Sequence, residues 1–235
     1  MEKATLYPDL EPIAARASYK QIFDLLYIVA QVRYATFKQI HSLNHRVATK
    51  KILANLVSFG YLDTINLVKN AKAFHITDKT RQILEREGFN VKIIQKKLTG
   101  QDLKHALKIT ECLLKLQAQD NFYNVFYYFF KMPPNYDGEF LRPDACVVWK
   151  KDGAYKIEFI EVEEEKPDWE NYLLVKREKY EQLARDPNIY RIWWKYYAEK
   201  LNLPLCKEGD FCFSVRCFAD IKKEWGGWKF EILFS

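Results

Sequence analysis

The chain has 235 residues, 49% of them hydrophobic, 16% aromatic and 29% charged, with a formal net charge of +6. That balance supports a packed core and excludes extended disorder. The longest uncharged apolar run, Asn121 to Phe130, falls far short of the roughly 20 residues that cross a bilayer, and the opening MEKATLYPDLEPIAAR lacks the apolar stretch of a secretory signal. The five cysteines form no C-x-x-C pair, so the sequence predicts a cytoplasmic protein with free thiols and no membrane association.

Charge divides the chain. Residues 1–100 carry 16 Lys and Arg against 8 Asp and Glu, whereas the remainder carries 21 against 23. A basic unit followed by a mildly acidic one fits a nucleic-acid-binding module joined to something else. The composition shift predicts domains over 1–98 and 99–235.

In the first part, YKQIFDLLYIVAQV (Tyr19–Val32) has helical apolar spacing, with Ser18 as its N-cap. TFKQIHSL reads as a short second helix capped by Thr36, with Phe37, Ile40 and Leu43 turned inward and Asn44 ending it. A third helix is expected from about His45 to Ser58, burying Val47, Ile52, Leu53, Leu56 and Val57 and stopping at Gly60. Tyr61–Leu67 and Lys72–Thr77 read as a β-hairpin, and a further helix is expected over Thr77–Glu87, with Thr77 as its cap and Gly88 as its stop. Helix, helix, helix, hairpin, helix is the order of a winged helix-turn-helix, in which the third helix enters the major groove and the hairpin touches the backbone. Its candidate DNA-binding residues are Arg46, Thr49, Lys50 and Lys51 on the third helix, with Lys69 and Lys72 at the hairpin tip. The expected partner is double-stranded DNA, with a homodimer as the expected state.

The second part opens with an amphipathic helix, Asp102–Gln119. Strands are expected at Asn121–Lys131, Phe140–Trp149 and Tyr155–Glu163, the last two joined by the KDG turn at Lys151–Gly153. A helix follows from about Asp168 to Arg185, then strands at Ile189–Tyr197 and Phe211–Phe218. A last strand is expected at Trp228–Phe234 after a Gly226-Gly227 turn. The fold class is α+β: the winged helix followed by an α/β sandwich on a central mixed sheet.

Pro143-Asp144 lies in one arm of the expected hairpin and Glu161-Val162-Glu163 ends the other. Carboxylates from neighbouring strand ends can hold a divalent cation, since Mg²⁺ is commonly bound through one or two carboxylates plus water and phosphate oxygens. These motifs resemble the PD-(D/E)XK nucleases. Together with the upstream basic module and the K-x-x-x-Y helix (Lys176–Tyr180), they resemble the replication-relaxation family of plasmids and mobile elements. The resemblance implies a PD-(D/E)XK-like second domain, with Asp144 and Glu161 as ligands of Mg²⁺ or Mn²⁺ and Glu111 as an extra acid. The superfamily's usual Lys is replaced here by Glu163, a catalytic candidate because some of its restriction enzymes carry Glu there. Others supply the Lys from the following helix, for which Lys176 and Lys179 are the candidates, with Lys166 as a nearer substitute. Two functions remain open at this point: a metal-dependent DNA endonuclease of plasmid or mobile-element replication or mobilisation, or a non-catalytic DNA-binding regulator whose nuclease-like domain serves dimerisation or docking.

Overall fold

The structure is a computed structural model that describes residues 6–43, 47–89, 91, 98–120, 122–127, 143–152, 154–162, 169–185, 212–220 and 223–228. The chain divides into two compact units, Met1–Leu114 and Lys115–Ser235. Together they form a mixed α and β protein with seven helices and two sheets among the described residues.

Unit 1 begins with a 3₁₀ turn at Pro8–Leu10 and the single-turn helix α1 (Glu11–Ala14). Its central helix α2 (Tyr19–Val32) starts at Ser18, whose hydroxyl accepts from the Gln21 N–H while the Gln21 side chain accepts from the Ser18 N–H. This reciprocal cap satisfies two donors that helix geometry leaves without partners. Ile22, Leu25, Leu26 and Val29 form its fully buried stripe. Strand β1 (Ala35–Thr36) precedes helix α3 (Phe37–Leu43), and Thr36 caps α3 by accepting from the Gln39 N–H.

Helix α4 (Lys50–Ser58) begins later than the sequence pattern suggests. Thr49 is extended (φ −91°, ψ 155°) and its hydroxyl accepts from the Ile52 N–H, so the cap sits at Thr49 and Val47 and Ala48 lie outside the helix. Ile52, Leu53 and Leu56 are buried as expected, but Val57 is only half-buried. Gly60 ends the helix at φ +71°, a left-handed conformation that glycine adopts without a Cβ clash.

Strands β2 (Leu62–Asn66) and β3 (Lys72–Ile76) form the expected hairpin around a 3₁₀ turn at Val68–Asn70. The sheet order is β1-β3-β2, all antiparallel. The two-residue β1 is too short to leave a periodic signal in the sequence. Helix α5 (Asp78–Arg86) is capped by Thr77, as its sequence suggests.

Helix α6 (Gly100–Gln117) contains the division between units. Its earlier turns are anchored in unit 1: the Thr110 hydroxyl donates to the Tyr34 carbonyl at 2.7 Å, and Gln39 Nε2 donates to the Leu107 carbonyl at 3.1 Å. Both bonds hold residues of α6 that precede the division after Leu114.

Unit 2 is a five-stranded sheet, order β4-β5-β6-β7-β8, made of β4 (Phe122–Tyr127), β5 (Ala145–Lys151), β6 (Ala154–Val162), β7 (Cys212–Asp220) and β8 (Lys223–Trp228). All neighbours are antiparallel except β6 and β7, so the sheet is mixed. Helix α7 (Trp169–Arg185) lies on the connection between that parallel pair, as crossover geometry requires. The β5–β6 turn holds Asp152 at φ +51°, in keeping with the tight hairpin expected from KDG.

Two local expectations are corrected. Pro143 and Asp144 lie just before β5, not within it; Pro143 has no N–H to donate to a ladder. Strand β8 (Lys223–Trp228) contains Gly226-Gly227, which were expected as a turn, with the register slipping by one residue between Val215↔Trp228 and Cys217↔Trp225. The glycines thus sit at a bulge, a common role for glycine inside a strand. The expected strand at Ile189–Tyr197, and the part of the expected last strand beyond Trp228 to Phe234, lie outside the described residues.

Candidate functional site

Strand pairing brings two acids to one end of the β5–β6 hairpin. Asp144 precedes the first pair, Ala145↔Ile160, and Glu161 follows it on the other arm. The Asp144 N–H donates to the Ile160 carbonyl at 2.9 Å, and its carboxylate accepts from the Val162 N–H at 2.8 Å. Asp144 is therefore fastened to β6 on both sides of Glu161.

Glu161 is 1% exposed. Alternation along β6 puts it on the same face as Phe159, and α7 covers that face: the Tyr180 ring stacks on Phe159 with centroids 6.1 Å apart. Lys176 and Tyr180 stand four residues apart on α7, so they share one side of the helix. Lys176 Nζ reaches Glu161 Oε2 at 2.7 Å, and the Tyr180 hydroxyl donates to Glu161 Oε1 at 2.7 Å. Burial pushes the Glu161 carboxyl up to about 7; the Lys176 ammonium pulls it down and the nearby Asp144 charge pushes it up again. Burial and the Glu161 charge likewise raise the Tyr180 phenol well above its ordinary value, so it remains a donor.

On the opposite face, buried Glu158 accepts from Trp149 Nε1 at 3.0 Å and pairs with Arg216 Nε at 3.2 Å. These bonds compensate a charge that would otherwise be costly to bury. Among the described residues, no three His, Cys, Asp or Glu side chains come together in a group that could hold a metal.

In unit 1, Lys50 and Lys51 are exposed on the first turn of α4, with Thr49 as the cap beside them. Lys72 is exposed at the start of β3, opposite Asn66. Lys38, Lys50 and Lys72 border one cleft of about 730 Å³ between α3, α4 and the hairpin. Phe37, expected to turn inward, is only half-buried and forms part of the cleft wall. Lys50 Nζ lies over its ring, 5.7 Å from the centroid, and His41 stacks on it at 5.5 Å.

The sequence profile described as replication-relaxation matches residues 26–191, well over half of the chain. The chain belongs to the replication-relaxation family. No curated protein and no solved structure matches it. The replication-relaxation match spans α4, the hairpin, Asp144, Glu161 and α7, so the basic cleft and the acid–lysine cluster both lie inside it. The family description points to replication or relaxation of plasmids and mobile elements. Among the described residues, no helix is long and apolar enough to cross a membrane.

Of the expected site residues, Asp144, Glu161 and Lys176 come together, and Lys179 lies half-exposed on the same helix. Glu111 sits in unit 1, where its carboxylate accepts from Gln39 Nε2 at 3.3 Å. Glu163, Lys166, Arg46 and the Lys69 side chain lie outside the described residues. Tyr180 packs on Phe159 of the sheet, and its hydroxyl bond to Glu161 is a site contact that sequence reasoning missed. The i,i+4 spacing from Lys176 was the available signal. Lys38 on the cleft rim was also missed, since one exposed lysine on a short helix carries no pattern.

Proposed function

We propose that this replication-relaxation protein binds double-stranded DNA through unit 1 and acts on it through the acid–lysine cluster of unit 2. In this reading unit 1 is a winged helix-turn-helix, with α4 as the groove-reading helix and the β2–β3 hairpin as the wing. Unit 2 is the PD-(D/E)XK-like domain. The carrying observation is the buried Glu161, bonded to Lys176 at 2.7 Å and close enough to Asp144 to feel its charge. Burying a carboxylate and an ammonium together is rarely favourable for stability alone, and perturbed buried acids concentrate at functional sites.

The donor chemistry suits Mg²⁺ or Mn²⁺, which would be held by Asp144 and Glu161 with water and phosphate oxygens completing its shell. When bound, such an ion polarises a phosphodiester and makes its water a better nucleophile. Tyr180 orients Glu161 through its hydroxyl. Lys176 supplies positive charge beside the acids, where charge builds on a phosphate under attack. Lys176 thereby takes the role that a lysine at position 163 would have had.

A second reading is favoured by a different observation. Both Glu161 oxygens already have protein partners, which suits a rigid, non-catalytic platform for docking or for a homodimer. Supercoiled plasmid incubated with Mn²⁺ separates the two. The first reading predicts nicked circles that disappear with Asp144→Ala; intact plasmid, or nicking that persists in Asp144→Ala, supports the platform.

A further inference from the structure

We propose that the cleft between α3, α4 and the hairpin holds an unpaired nucleotide of a DNA strand, so that unit 1 prefers DNA with a locally opened stretch over a fully paired duplex. The inference rests on the DNA-binding reading above and adds what part of the DNA is held.

The cleft has the chemistry of a nucleotide site. Its volume of about 730 Å³ falls in the range of pockets that enclose small ligands, roughly 300–1,000 Å³. Phe37, Phe74 and Val57 give it an apolar wall, and Lys38, Lys50 and Lys72 border it. No Asp or Glu lines it among the described residues. Three ammonium groups without a lining carboxylate favour an anion, while aromatic walls favour a flat apolar body. A nucleotide unites the two, and single-stranded DNA is generally held by such a combination of basic rim and aromatic platform.

The Phe37 ring is suited to stacking. His41 packs on it, and the Lys50 ammonium hovers over it at 5.7 Å, free to swing towards a phosphate while its place over the ring is taken by a base. The location selects a strand over a free molecule, because two of the three lysines, Lys50 and Lys72, are those assigned to DNA contact. A base stacked within a duplex cannot enter a cleft; it must first leave the helix.

Binding of the full chain to three fluorescent or competing probes tests the proposal: a paired duplex, the same duplex with a central mismatched bubble, and free thymidine monophosphate. The bubble is expected to bind at least about fivefold tighter than the duplex, the lower end of what one base–aromatic stack contributes. Phe37→Leu and the cleft-filling Ala54→Trp should each bring that ratio towards one. Duplex binding with no bubble preference overturns this inference and leaves the DNA-binding reading standing. Loss of binding to both DNA probes overturns the two together. Saturable binding of thymidine monophosphate without a bubble preference also overturns it and makes the cleft a pocket for a small anion.

Discussion

At the scale of single residues, the Glu161 carboxyl is governed by two opposed effects. Removal from water favours its neutral form, and the Lys176 ammonium at 2.7 Å favours the ion. Burial prevails, and the group titrates near 7 instead of its ordinary 4.5. The folded state therefore holds this proton to higher pH than the unfolded chain does. The contribution to stability is complete below about pH 4.5 and is lost as pH rises through about 7. Thermal melts of wild type and Glu161→Gln between pH 5 and 8 should show the Tm advantage of wild type shrinking as pH increases. An advantage that grows with pH would reverse the assignment.

Lys176→Met removes the cation that favours the charged form most, leaving only the Tyr180 hydroxyl bond on that side. The variant is expected to lose about 3 kcal/mol at pH 8, in the range for breaking a buried ion pair, and less at pH 5.5, where the carboxyl can protonate. Urea unfolding at the two pH values measures the difference. Equal losses at both would mean that Lys176 acts by packing alone.

At the scale of elements, apolar periodicity and caps were the most legible signals. Ser18, Thr36 and Thr77 cap their helices as the sequence suggests, because a side-chain oxygen followed by helical apolar spacing leaves few alternatives. The start of α4 was obscured because Val47 is buried and in phase, yet it precedes the cap. Thr49→Ala should therefore cost about 1 kcal/mol, whereas removing an interior threonine hydroxyl would cost little. Leu26→Ala, in the fully buried stripe of α2, should cost about 2–5 kcal/mol. Denaturant midpoints of the two variants check both values.

The β5–β6 hairpin was legible because KDG fixes its turn and alternation fixes its faces. That pairing is what put Asp144 and Glu161 at a common end. The bulge at Gly226-Gly227 was misread as a turn because glycine permits both conformations. The approach of Lys176 and Tyr180 to Glu161 depends on how α7 seats over the sheet, and a helix pattern alone does not contain that docking.

At the scale of the whole molecule, the basic excess of residues 1–100 and the acidic cluster of unit 2 assign opposite electrostatic tasks to the two units. Phosphate contacts by Lys50, Lys51 and Lys72 would release counterions, so DNA affinity should fall steeply with salt, the slope being about −0.9 per phosphate neutralised. Lys50→Gln is expected to flatten that slope by roughly one unit. Salt-insensitive retention in a mobility-shift series would remove the basis for the DNA reading. Two acids facing DNA with no cation between them would repel it, which is why the metal question decides the role of unit 2.

Mn²⁺ titration of the full chain, followed by electron paramagnetic resonance, addresses that question most directly. The account predicts saturable uptake of Mn²⁺ that Asp144→Asn abolishes while the variant retains its fold. Failure of the wild-type chain to take up Mn²⁺, or uptake that Asp144→Asn leaves intact, would contradict it.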